Sequence, residues 1–180
     1  MTILAISGSL RADSSNTAIL RAAALLAPEG MRIDPYEGLG DLPHFSPEID
    51  GDTPPDAVRS LRTLLGGADG AIICTPEYAY GMPGSLKNAL DWMVSSGEFF
   101  GKPVGAISAS PSAAGGERAH AWLISTLTAL GADIVQESSF TIPLVRTRLA
   151  QDGTLADPAT ATMIRSALDA LARRIGAAAG

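Results

Sequence analysis

Nine consecutive residues near the N-terminus concentrate what is needed to hold an anion. They are Gly8-Ser9-Leu10-Arg11-Ala12-Asp13-Ser14-Ser15-Asn16. Gly8 lets the backbone turn sharply. Ser9, Ser14, Ser15 and Asn16 offer short donors, and Arg11 offers a charged planar fork suited to phosphate. A helix after the loop adds unpaired N–H groups and the positive end of its dipole. The same residues also fit a plain helix start, with Ser14, Ser15 or Asn16 as cap and Arg11 in solvent. Two nucleotide loops are disfavoured. No Lys follows a second glycine as in G-x-x-x-x-G-K-[ST], and no glycine lies between Ser9 and Ser15 as in G-x-G-x-x-G.

A second loop has a different chemistry. Thr75-Pro76-Glu77-Tyr78-Ala79-Tyr80-Gly81-Met82-Pro83-Gly84 combines two Pro, two Gly and two Tyr ahead of a helix. Pro and Gly fix an irregular path that exposes backbone donors and acceptors. Such a path suits the edge of a flat heteroaromatic ring, and its N–H groups can stabilise negative charge on that ring when reduced. An ordinary strand-to-helix connection with Tyr78 on the core fits the same letters.

Other chemistries find little support. The single cysteine, Cys74, lies in an apolar run and reads as an inert core residue, which leaves no disulfide framework and no cysteine zinc site. With only His44 and His120, a metal site has few ligands. His120, near a helix start, reads as solvated or capping, and His44 as bordering the site opening. No G-x-S-x-G elbow anchors a serine triad. Net charge is −6, from 13 basic and 19 acidic residues, which argues against a nucleic-acid partner while allowing one small phosphate. The N-terminus lacks a basic region followed by an apolar one, and no apolar run is long enough to span a membrane. A cytoplasmic protein is the expectation.

The positioning elements follow from hydrophobic spacing. Continuous apolar runs at 2–7, 70–75 and 103–109 read as strands covered on both faces. Weaker strands are read at 31–36 and 132–135. Helices are expected over 14–27, 57–65, 84–94, 118–130 and 157–175. Segment 38–55 reads as a long polar loop. Trp122 is grouped with Leu123 and Leu127 on an inward face, Asp91 and Trp92 read as structural, and residues 176–180 are expected to fray. Alternating strands and helices over 180 residues predict one domain, 1–180, with a parallel sheet and helices on both faces. In a 2-1-3-4-5 strand order the two loops meet at the switch point, where a mononucleotide such as FMN binds.

These two loops carry a resemblance to the NAD(P)H-dependent FMN reductase family of flavodoxin-like proteins, relatives of bacterial quinone and chromate reductases. The motifs are G-S-L-R-x-x-S-x-N, here Gly8 to Asn16, and T-P-E-Y-x-x-G-x-P-G-x-L-K-N-A-[LI]-D-W, here Thr75 to Trp92. The resemblance spans roughly residues 1–175 and implies a flavodoxin-like fold that binds FMN. It implies that Ser9, Arg11, Ser14 and Asn16 hold the phosphate, with Ser15 beside them. Pro76, Glu77, Tyr78, Ala79 and Gly81 would line the ribityl chain and ring. A third loop, 108–116, with Ser110 and Gly115, would lie on the other side. It further implies NADPH or NADH as hydride donor, a small-molecule acceptor such as a flavin or quinone, and a homodimer or homotetramer. Phe99 and Phe100, adjacent in a short connection, are expected to need burial by a partner subunit or by their own sheet. A flavodoxin-type electron carrier is the alternative, although the flavodoxin loop T-x-T-G-x-T is absent.

Overall fold

The computed structural model describes residues 1–178. The apolar runs form strands β1 (Thr2–Ser7), β3 (Gly70–Thr75) and β4 (Pro103–Ala109), with the bounds expected from the sequence. Strands β2 (Arg32–Tyr36), β5 (Asp133–Ile134) and β6 (Phe140–Ile142) complete a six-stranded sheet. Its order is β2-β1-β3-β4-β5, with β6 also on β4, and its pairings are parallel. This is the flavodoxin-like fold.

Burial alternates along the strands. Leu4, Ile6, Ile73 and Val104 pack under α2 (Asp56–Gly67), α3 (Gly84–Asp91) and α4 (Glu117–Ala129). Ile3, Ala5, Ile72 and Ile107 pack under α1 (Ser15–Leu25) and α5 (Pro158–Ala178). Both faces are dry, which is why the central strands carry apolar residues at consecutive positions.

Four local expectations need correction. The run expected as one strand at 132–135 pairs over only two residues with the start of β4. A 3-10 turn at Gln136–Ser138 follows, and β6 then takes the far half of β4. Ser138 enforces this detour, because its hydroxyl donates to the Ala167 carbonyl of α5 at 2.6 Å. Helix α3 stops at Asp91 instead of continuing to 94. There the Trp92 indole turns to donate to the Pro43 carbonyl at 2.9 Å, with Phe45 edge-on at 5.1 Å. Trp122 is 58% exposed, since it stands one position, about 100°, from the buried Leu123–Leu127 stripe. Finally, α5 continues through Ala178, so the fraying expected from 176 is not seen as far as the described residues extend; positions 179 and 180 lie outside them.

The segment 38–55 is tied down. Asn88 accepts from the Phe45 N–H at 2.8 Å and donates to the Pro43 carbonyl at 2.9 Å. Arg62 pairs with the nearly buried Asp50 at 2.7 Å and also donates to the Trp92 carbonyl. The Asn and Trp of the second motif therefore hold a loop against α3. Phe99 is buried within its own chain and Phe100 is exposed, so own-sheet packing accounts for the first of the pair.

Candidate functional site

Three loops leave the carboxyl ends of β1, β3 and β4 and enclose a cavity of about 300 Å³. Every site residue singled out in the sequence lines it except Ala79, Gly81 and Gly115.

The β1 loop turns at Gly8, where a Cβ would stand 2.9 Å from the Leu86 side chain. Ser14 caps α1, its hydroxyl accepting from the Thr17 N–H at 3.3 Å. Cap and anion site are not exclusive. The Ser14 hydroxyl keeps its own proton to donate, and the N–H groups of Ser15 and Asn16 make no hydrogen bond among the described residues. The Ser9 hydroxyl accepts from the Arg11 N–H at 3.3 Å and likewise keeps its proton. Arg11 is exposed and forms no ion pair among the described residues.

The Asn16 side chain does something else. It is buried, donates to the Ala109 carbonyl at 3.2 Å and accepts from the Cys74 thiol at 3.1 Å. It straps α1 to β3 and β4, with one amide proton committed to Ala109, while its backbone N–H makes no hydrogen bond among the described residues. Cys74 is fully buried and burial pushes its thiol pKa far up, so it is a core residue.

The β3 loop closes in a tight hairpin. Tyr78 and Gly81 exchange backbone hydrogen bonds of 2.9 and 3.0 Å, and the turn residues Ala79 and Tyr80 have φ of +48° and +65°. Neither is a glycine, although this turn type favours one. Helix α4 holds the turn. The Trp122 ring lies where a Cβ on Gly81 would be 3.4 Å away, and the Arg118 guanidinium sits 4.1 Å from the Tyr80 ring centroid. Tyr78 is exposed, so the core-packing alternative fails. Ala79 and Gly81 thus shape the turn from outside the cavity.

The β4 loop ends in Gly115 and Gly116, both at positive φ. Gly115 backs onto Thr141 and Pro143, away from the cavity, while Ser110 lines it. Glu77 reaches across: its carboxylate accepts from the Arg118 and Ala119 N–H groups at 3.0 and 3.1 Å. Among the described residues Glu77 is the only acidic one that lines the cavity. His120 donates from Nε2 to the Ala106 carbonyl at 3.0 Å, since a carbonyl only accepts. Burial holds its pKa below the usual histidine range, and the residue is a half-buried strut, neither solvated nor a cap. His44 is exposed and lies outside the cavity lining.

One basic residue was not legible in the sequence. Arg146 lines the cavity opposite the β1 loop, on a turn after β6 that is stapled to the β4 loop. The Leu144 N–H donates to the Ser112 carbonyl at 3.1 Å and the Val145 N–H to the Ser110 carbonyl at 3.0 Å. Two guanidinium groups, serine hydroxyls and free helix N–H groups form a donor set that fits a phosphate.

Comparison with known proteins gives this cavity its context. A sequence model described as NADPH-dependent FMN reductase matches residues 1–146. The chain belongs to that family. An NAD(P)H-dependent FMN reductase of Pseudomonas aeruginosa is 34% identical over 171 residues, covering 94% of this chain and 92% of its own. A 2-hydroxy-1,4-benzoquinone reductase of a Burkholderia species is 32% identical over 172 residues, covering 94% and 93%. Among solved structures, the flavoenzyme NAD(P)H:(acceptor) oxidoreductase FerB of Paracoccus denitrificans superposes with a TM-score of 0.87. It is 30% identical, over 98% of this chain and 97% of that one. These family members are reductases, which favours the enzyme reading over the electron carrier. Among the described residues no helix is long and apolar enough to cross a membrane.

Proposed function

We propose that the protein is an FMN-dependent oxidoreductase that takes hydride from NAD(P)H and passes electrons to a small quinone or flavin acceptor. The observation that carries this reading is the joining of a phosphate-type donor set and a ring-binding turn in one cavity. Family membership supplies the cofactor.

FMN, when bound, supplies the hydride and electron chemistry. The chain's own residues bind and orient. Arg11, Arg146, the hydroxyls of Ser9 and Ser14, and the N–H groups of Ser15 and Asn16 hold the phosphate. Pro76, Glu77 and Tyr78 would border the ring, with the β4 loop through Ser110 closing the cavity beside them. The hairpin at Tyr78–Gly81 fixes its backbone before any ligand arrives. No side-chain acid or base is assigned. Steady-state NAD(P)H oxidation with added FMN and a quinone tests the reading, and absence of turnover would refute it. If one flavin face serves donor and acceptor in turn, initial rates at varied NADPH and quinone form parallel lines; intersecting lines would reject the shared face.

We propose also that the protein is a homo-oligomer, a dimer or a tetramer. Tyr78, Tyr80 and Trp122 form an aromatic patch beside the ring loop, each roughly half exposed or more. Clustered exposed aromatics of this kind are suited to an interface. Sedimentation equilibrium at micromolar protein is expected to show more than the monomer. A species of 18.5 kDa that still binds FMN tightly would overturn the proposal.

A further inference from the structure

The start of α4 has no cap of its own. Its cap position is Gly116, at φ +83°, and glycine has no side chain to offer the first-turn N–H groups. The acceptor comes instead from another loop, from Glu77, whose single oxygen takes both the Arg118 and the Ala119 N–H. That carboxylate belongs to a residue lining the flavin cavity. The nearest cation on the helix, Arg118, lies over Tyr80 and forms no ion pair among the described residues.

This arrangement has an electrostatic sign. An open helix N-terminus beside the cavity would favour negative charge within it. Glu77 occupies that N-terminus and adds a negative charge to the cavity wall. Taking up two electrons and one proton leaves a flavin ring one negative charge richer. The wall thus opposes reduction.

Building on the FMN reading, we infer that Glu77 is a positioning residue with a redox role. It locks α4, and with it the clamps on the ring-binding turn, while its charge holds the bound flavin at a lower reduction potential than an uncharged cap would allow. Charge near the ring is a general means by which proteins tune flavins.

Glu77→Gln separates the two roles. The glutamine carbonyl still accepts from the helix, and the charge is gone. Dye-equilibrated anaerobic titration of the FMN-loaded protein is expected to show the variant binding reduced FMN about tenfold more tightly, relative to oxidised FMN, than wild type does. For a two-electron couple that is a rise of about 30 mV. Hydrogen exchange at Arg118 and Ala119 is expected to stay protected. Glu77→Ala is expected to raise the potential and also lose that protection, with weaker riboflavin binding. An unchanged or lowered potential in FMN-loaded Glu77→Gln overturns the inference even where wild type binds FMN as proposed. A wild-type protein that fails to bind FMN overturns the underlying reading, and the inference falls with it. If Glu77→Ala does not fold, the glutamine variant alone decides.

Discussion

Arg11→Ala is expected to weaken FMN binding by about 1.5–3 kcal/mol, the usual range for a hydrogen bond to a charged group. In a fluorescence titration that is about a tenfold to hundredfold rise in Kd. Riboflavin, which lacks the phosphate, is expected to bind the variant almost as it binds wild type. The reasoning is geometric and electrostatic. Arg11 lies on the β1 loop beside the open end of α1, free of ion pairs among the described residues, and lines the cavity. Its guanidinium can pair with a phosphate two bonds at a time. Arg146→Ala is expected to act in the same direction. The double variant is expected to lose less than the sum, since both groups share one anion. Equal losses for FMN and riboflavin would refute the phosphate assignment.

Gly116→Ala is expected to be the most destabilising single methyl in the β4 loop. The added Cβ would lie 2.2 Å from the Ser108 hydroxyl oxygen, and φ is +83°. Ser108 cannot simply swing aside, because it is fully buried and donates to the Thr75 carbonyl at 3.1 Å. A non-glycine residue at positive φ costs about 1–2 kcal/mol, and forced overpacking costs about 1–3 kcal/mol more. Gly153→Ala is the control: φ is +81° there, but nothing stands within 4 Å of the new Cβ. Urea unfolding should therefore show a loss at 116 well above the loss at 153. Equal losses would mean that the β4 loop yields at no cost.

Both predictions rest on loops that the sequence located correctly, though it described them unevenly. The strands 2–7, 70–75 and 103–109 were legible because burial on two faces leaves an unbroken apolar run. That fixed which loops share an end of the sheet. The three residues of β6 were too few to show a period, and their partner half of β4 was set by a serine hydroxyl on α5's carbonyl. Side-chain type did not reveal direction either. Asn16 has the donors of a phosphate ligand, yet its amide faces Ala109 and Cys74. Glu77 lines the cavity as expected, but nothing in its type showed that its carboxylate also caps α4. Arg146 had no local signal at all. It reaches the cavity only because β6 returns beside β4 and the following turn is stapled to Ser110 and Ser112. Trp122 followed a helical stripe by adjacency in sequence, but one residue is a quarter-turn or more on a helix.

The hairpin at Tyr78–Gly81 carries a lesson about portability. Ala79 and Tyr80 both hold left-handed backbone, at φ of +48° and +65°, where neither residue settles on its own. The hairpin's own pair of backbone hydrogen bonds is reinforced from outside it, by a tryptophan against Gly81 and an arginine over Tyr80, both on α4. That helix is in turn anchored by Glu77, a residue of the same loop. The loop and the helix are thus each other's mould. Lifted onto another scaffold without α4, these residues would relax to right-handed or extended backbone. Their letters would survive the transplant and their shape would not.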